Sequence, residues 1–176
     1  MKRSFASLNP QEALHVAIFI EERNAELYHR FAEMFVEFRD SESLEIASVF
    51  WEMAAEEKNH SSLLQGQYME KYGSSRCALT EEDLVEWIEV PKLDDGDVFA
   101  ATREGRTTNV RDRALQVALK AELAAQRYYS DLAENTQETE GPLRRLYREL
   151  AEMEDGHVAY IQRKLVPHPT NDKKAN

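Results

Sequence analysis

Apolar side chains recur near the start of the chain at three- and four-residue steps: Leu14, Ala17, Ile18, Ala25, Tyr28, Ala32 and Phe35. That spacing is the buried face of an amphipathic helix. Glu21 interrupts the stripe, and a carboxylate on a buried face needs a partner. Leu115, Ala118, Leu119, Ala125 and Tyr129 trace a second stripe, interrupted at Glu122.

Local chemistry predicts where the helices begin and stop. Asn9, Pro10 and Glu12 read as a capping box with proline in the first turn, opening a helix that runs to about Phe38. Asp40 and Ser41 make a short connection and the cap of a second helix, which Gly73 stops after Tyr72. Thr80 and Asp83 suggest a short helix through Trp87, ended by Pro91. Asp94 to Gly96 reads as a turn and residues 97–108 as loop. Asn109 is expected to cap the third long helix, which lasts to about Glu134. A turn at Thr139–Gly141 follows, and Pro142 opens the fourth helix, ending near Val166. The expectation is one all-α domain over residues 1–166, with a frayed polar tail over 167–176.

The two stripes belong to an internal repeat. ALHVAIFIEERNAELYHRFAE from Ala13 aligns with ALQVALKAELAAQRYYSDLAE from Ala114. The alignment sets Glu21 on Glu122 and Tyr28 on Tyr129. Glu22 falls on Leu123, so Glu21 is the better ligand candidate of the two adjacent acids. MAAEEKNH from Met53 aligns with LAEMEDGH from Leu150, setting Glu57 on Glu154 and His60 on His157.

Composition narrows the partners. The formal net charge of −11, with no basic patch, argues against nucleic acid. No apolar run approaches a membrane span or a signal peptide, so no membrane association is expected. A single cysteine, Cys77, excludes an internal disulfide and a four-cysteine metal knuckle, and fits a reducing, cytoplasmic setting. No Gly-rich phosphate loop or Ser-His-Asp order is present.

The paired Glu-x-x-His motifs carry the chemistry. A three-residue step turns a helix by about 300°, so Glu57 and His60, and likewise Glu154 and His157, project from one face. Glu21 and Glu57 lie at similar distances on either side of the connection near residue 40, and Glu122 and Glu154 on either side of residue 138. The short connections make each helix pair antiparallel and bring its donors level. Glu21, Glu57, His60, Glu122, Glu154 and His157 are thus candidate ligands of a two-metal site in a four-helix bundle. Two of the carboxylates can bridge, and each metal gains one His. Two cations would neutralise a cluster that otherwise repels itself. Imidazole with carboxylate suits two iron ions or manganese, with zinc possible by affinity. Tyr28 and Tyr129 share the face of their Glu partners and are candidate catalytic groups, as hydrogen-bond donors or electron carriers; Tyr128 is a rival to Tyr129. Asn24, Glu56, Glu152 and Asp155 are candidates to orient the histidines. The run Glu42, Glu45, Glu52, Glu56 reads as a solvated stripe, and His15 and His29 as surface or second-layer residues.

With Glu21, Glu57-Lys-Asn-His60, Glu122 and Glu154-Asp-Gly-His157 in place, the chain resembles the ferritin-like superfamily, specifically its rubrerythrin-like branch, over about residues 10–166. The resemblance implies an antiparallel four-helix bundle with a long crossover between the second and third helices, a homodimer, and a di-iron centre that reacts with oxygen or peroxide. Two departures stand out. A rubredoxin-like domain needs four iron-binding cysteines where this chain has one in all, and the further carboxylate three residues past the third-helix Glu is Ala125 here. The expected function is a di-iron oxidoreductase reducing peroxide or oxygen with electrons from a separate donor protein. The alternatives are ferroxidase or iron-handling activity, and a non-enzymatic helical interaction protein.

Overall fold

The computed structural model describes residues 8–80, 83–84, 107–137 and 140–165. Four long helices make up the fold: α1 (Pro10–Glu37), α2 (Ser41–Tyr72), α3 (Thr107–Asn135) and α4 (Gly141–Leu165). The chain forms an all-α four-helix bundle with a long crossover between α2 and α3. α1 packs closely on α2 and α3 on α4, while contact between the two hairpins is sparser.

The helix ends follow the capping chemistry. Asn9 Oδ1 accepts from the Glu12 amide at 2.9 Å, and the Asn9 amide donates to Glu12 Oε2 at 2.9 Å. Asp40 caps α2 by accepting from the Ser43 amide at 2.9 Å. Between these helices Arg39 adopts φ 59°, a left-handed conformation that reverses the chain. Gly73 ends α2 at φ 57°, ψ −135°, a region hostile to residues with a Cβ.

The third start differs from expectation. α3 begins at Thr107, so Asn109 lies within its first turn rather than capping it, and residues 107–108 are helix rather than loop. Asp83 and Leu84 are helical, with the Thr80 amide donating to Asp83 Oδ2 at 2.9 Å as a cap pair would. The fourth helix likewise opens at Gly141, one residue before Pro142, so of the expected 139–141 turn Glu140 and Gly141 are already helical. The expected continuation to Trp87, the turn at 94–96, most of the 97–108 loop, Thr139 and the tail lie outside the described residues.

Ion pairs report the direction of travel. Arg111 near the start of α3 pairs with Glu42 at the start of α2. Lys164 at the end of α4 reaches Glu45 at 2.6 Å, and Lys71 at the end of α2 pairs with Glu140 just before α4. α2 and α3 therefore run parallel, and the crossover spans the bundle's length. That topology superposes the two repeats as hairpins facing each other.

The buried side chains form two clusters. One gathers Phe31, Phe35, Ile46, Phe50, Leu115 and Ile161. The other gathers Leu14, Leu64, Tyr129, Leu143, Tyr147 and Leu150. The six candidate ligands fall between them along every helix, as a polar layer across an apolar interior.

Candidate metal centre

Glu21 on α1, Glu57 and His60 on α2, Glu122 on α3, and Glu154 and His157 on α4 converge in this layer. The four carboxylates are wholly shielded from solvent and the two histidines nearly so. Their donor atoms form two overlapping groups, Glu21–Glu57–His60–Glu154 and Glu57–Glu122–Glu154–His157, each with its atoms within 4.8 Å of one another. Glu57 and Glu154 belong to both.

Each imidazole turns Nδ1 inward. His60 Nδ1 lies 3.1 Å from Glu21 Oε2, 3.8 Å from Glu57 and 3.9 Å from Glu154. His157 Nδ1 lies 3.3 Å from Glu57, Glu122 and Glu154 alike. On its outer side, His157 Nε2 donates to Glu56 Oε2 at 2.7 Å.

The electrostatics are those of a site built for cations. Burial pushes the Glu57 carboxyl well above the ordinary carboxylate range, and the Glu21 charge adds to the shift. Burial does the same to Glu154, with Glu122 as the next cause. Glu122 moves the other way: burial opposes its ionisation, but hydrogen bonds with Glu154 and His157 outweigh it. Burial alone would lower both imidazoles, yet contact with Glu21 raises His60, and contact with Glu122, Glu154 and Glu57 strongly raises His157. Both oxygens of Glu57 and Oε1 of Glu154 are buried without a hydrogen-bond partner. Such orphaned acceptors are costly in a protein interior. Two cations placed among these donors would satisfy them and reverse the pKa pattern. The residues present therefore fit a pair of metal ions.

The tyrosines cross between the repeats. Tyr28 on α1 donates to Glu122 Oε1 on α3, and Tyr129 on α3 donates to Glu21 Oε1 on α1. Burial raises both phenols well above their usual range, with the neighbouring carboxylates adding to it, so both stay protonated donors. Tyr128 points elsewhere and donates to the Ala13 carbonyl at 2.9 Å. Of the groups named to orient the histidines, Glu56 touches one, whereas Glu152 and Asp155 are exposed and bond to neither. Glu56 is thus both part of the exposed stripe and a contact to the site. Asn24 is buried, with its amide nitrogen unpartnered.

The rubrerythrin family model matches residues 113–167, the stretch that carries Glu122, Glu154 and His157. Over those residues the chain resembles rubrerythrin. A solved structure of a hypothetical protein from Pyrococcus furiosus shares the fold, with a TM-score of 0.66, 23% identity, and coverage of 91% of this chain and 90% of that one. No curated protein matches the chain. The matched stretch contributes one hairpin, and the internal repeat extends the same donor pattern to the other. Where the rubrerythrin-like pattern would place a further carboxylate, the structure has buried Ala125; its repeat counterpart is Asn24.

Proposed function

We propose that this protein is a di-iron oxidoreductase that reduces peroxide or oxygen with electrons from a separate donor protein. The observation that carries the reading is the pair of overlapping donor groups sharing Glu57 and Glu154, with orphaned carboxylate oxygens at their centre. Glu57 and Glu154, common to both groups, would help to hold both iron ions. Glu21 with His60, and Glu122 with His157, would complete one position each. Manganese or zinc could occupy the same donors.

Bound iron would supply the change of oxidation state that the oxidant requires. The chain's own residues do the rest. The two apolar clusters exclude bulk water from the carboxylate layer, which strengthens every charge interaction there. The phenols of Tyr28 and Tyr129 hold Glu122 and Glu21 in place by donating to one oxygen of each, leaving the other oxygen free to face its histidine. That makes them positioning residues in this structure. Peroxide reduction to two waters takes two electrons and two protons. With one cysteine in the sequence, the electrons are assigned to a partner. The expected setting is cytoplasmic, and no described helix is long and apolar enough to cross a membrane. A homodimer is expected as well. Leu44 and Trp51, seven residues apart on α2 and each 45% exposed, are apolar side chains free to serve such a contact.

Anaerobic reconstitution with ferrous iron, followed by peroxide, tests the proposal. It predicts two irons per chain and oxidation faster than in Glu57→Ala. Fewer than two irons, or no rate difference, would remove it. Sustained turnover of ferrous iron without an electron donor would point to ferroxidase activity instead. A fully folded protein that binds no metal tightly would point to an interaction role.

A further inference from the structure

The two repeats match at all six candidate ligands but not beside them. Glu57 aligns with Glu154, so Glu56 aligns with Met153. Glu56 Oε2 accepts a hydrogen bond from His157 Nε2 at 2.7 Å, on the ring edge opposite the carboxylates. The symmetric arrangement would put residue 153 beside His60. Met153 offers no charge there and is 47% exposed. Among the described residues, no hydrogen bond reaches His60 Nε2.

A carboxylate on the outer nitrogen of a ligating histidine does three things: it fixes the tautomer, fixes the ring plane, and makes the inner nitrogen more basic. With Nε2–H committed to Glu56, Nδ1 is the nitrogen that faces Glu57, Glu122 and Glu154 and the one a cation would take in place of its proton. The Glu56 side chain is itself 57% exposed, so this pair adds little to fold stability. Its effect is on the orientation and strength of His157.

We propose that Glu56 is a positioning residue that makes the two metal positions unequal. The position built from His157 and Glu122 binds a divalent cation more tightly and fills before the one built from His60 and Glu21. This rests on the two-metal reading above.

Anaerobic titration of the full chain with cobalt(II), followed by its visible absorption, separates the outcomes. The wild type should take two ions in two steps at least tenfold apart. His157→Ala should remove the tighter step and His60→Ala the weaker. Glu56→Ala should weaken the tighter step about 10- to 100-fold, the range seen when such outer partners are lost, and leave the weaker unchanged. Glu56→Gln, which keeps an acceptor without the charge, should fall between. Met153→Glu should strengthen the weaker step and draw the two together. Two equal steps in the wild type, or a Glu56→Ala profile matching wild type, would overturn the inference while leaving a two-metal centre standing. Fewer than two ions in the wild type would overturn both.

Discussion

Replacing Glu57 with leucine should make the metal-free protein more stable and the metal-loaded protein less so. Glu57 is fully buried, and neither of its oxygens finds a hydrogen bond. An unpaired buried acceptor costs about 1–3 kcal/mol, and exchanging buried ionisable groups for apolar side chains of similar volume is often neutral or stabilising by about 1–4 kcal/mol. Relief of about 2 kcal/mol is therefore expected. For a chain of this size that is a rise in Tm of about 4–8 °C. The gain should depend on pH with a definite sign. Burial raises the folded-state pKa of Glu57 above its ordinary value near 4.5. The folded wild type then holds a proton that the unfolded chain releases, so its stability falls as pH climbs from the ordinary carboxylate range toward neutrality. The advantage of Glu57→Leu should widen over the same window. Manganese(II) should invert the order. A ligand at about a hundred times its Kd adds about 2.7 kcal/mol to the form that binds it, and the variant lacks a donor common to both groups. Calorimetric melts with chelator and with excess manganese, at several pH values, make the comparison. A metal-free Glu57→Leu that melts below wild type would refute the reasoning, because Glu57 would then be satisfied without a cation.

Tyr28→Phe and Tyr129→Phe should each destabilise the protein by about 2 kcal/mol, since each strips a donor from a buried carboxylate; denaturant unfolding measures it, and metal stoichiometry should stay at two. Metal affinity should fall steeply as pH drops below neutrality, because loading must displace the protons held by Glu57, Glu154 and the histidines; proton release during manganese titration in weak buffer checks this, and a pH-independent affinity would contradict it. Gly73→Ala should cost about 1–3 kcal/mol through backbone strain alone, since a Cβ there meets nothing within 4 Å; urea unfolding reports it.

Much of this architecture could be read from the residues because the signals were local. Asn9 with Glu12, Asp40, and Gly73 set their helix ends through bonds only a few residues long, and each end lies within a residue of its expected place. The start of α3 was harder. Asn109 is a good cap by type, but where a helix begins depends on what precedes it, and α3 opens two residues earlier. The repeat aligned the six donors, yet alignment alone does not say which carboxylates are common to both groups. That follows from the facing of α2 and α4, which presents Glu57 and Glu154 to both. The sequence places each tyrosine on the face of its own Glu. In the fold each phenol instead bonds the carboxylate of the opposite repeat, a pairing across more than ninety residues of chain with no local signature. Glu56 carried two compatible readings at once, because a long side chain on an exposed face can still reach the edge of a buried ring.

Each hairpin brings three of the six donors, so two identical hairpins set face to face would supply the whole set. Identical subunits would be bound by symmetry to keep both halves of such a centre the same. Tethering the halves through one crossover lifts that bond. Glu56 opposite Met153, and Asn24 opposite Ala125, are differences that a pair of identical hairpins could not carry. A single polypeptide can thus tune one cation seat without disturbing the other.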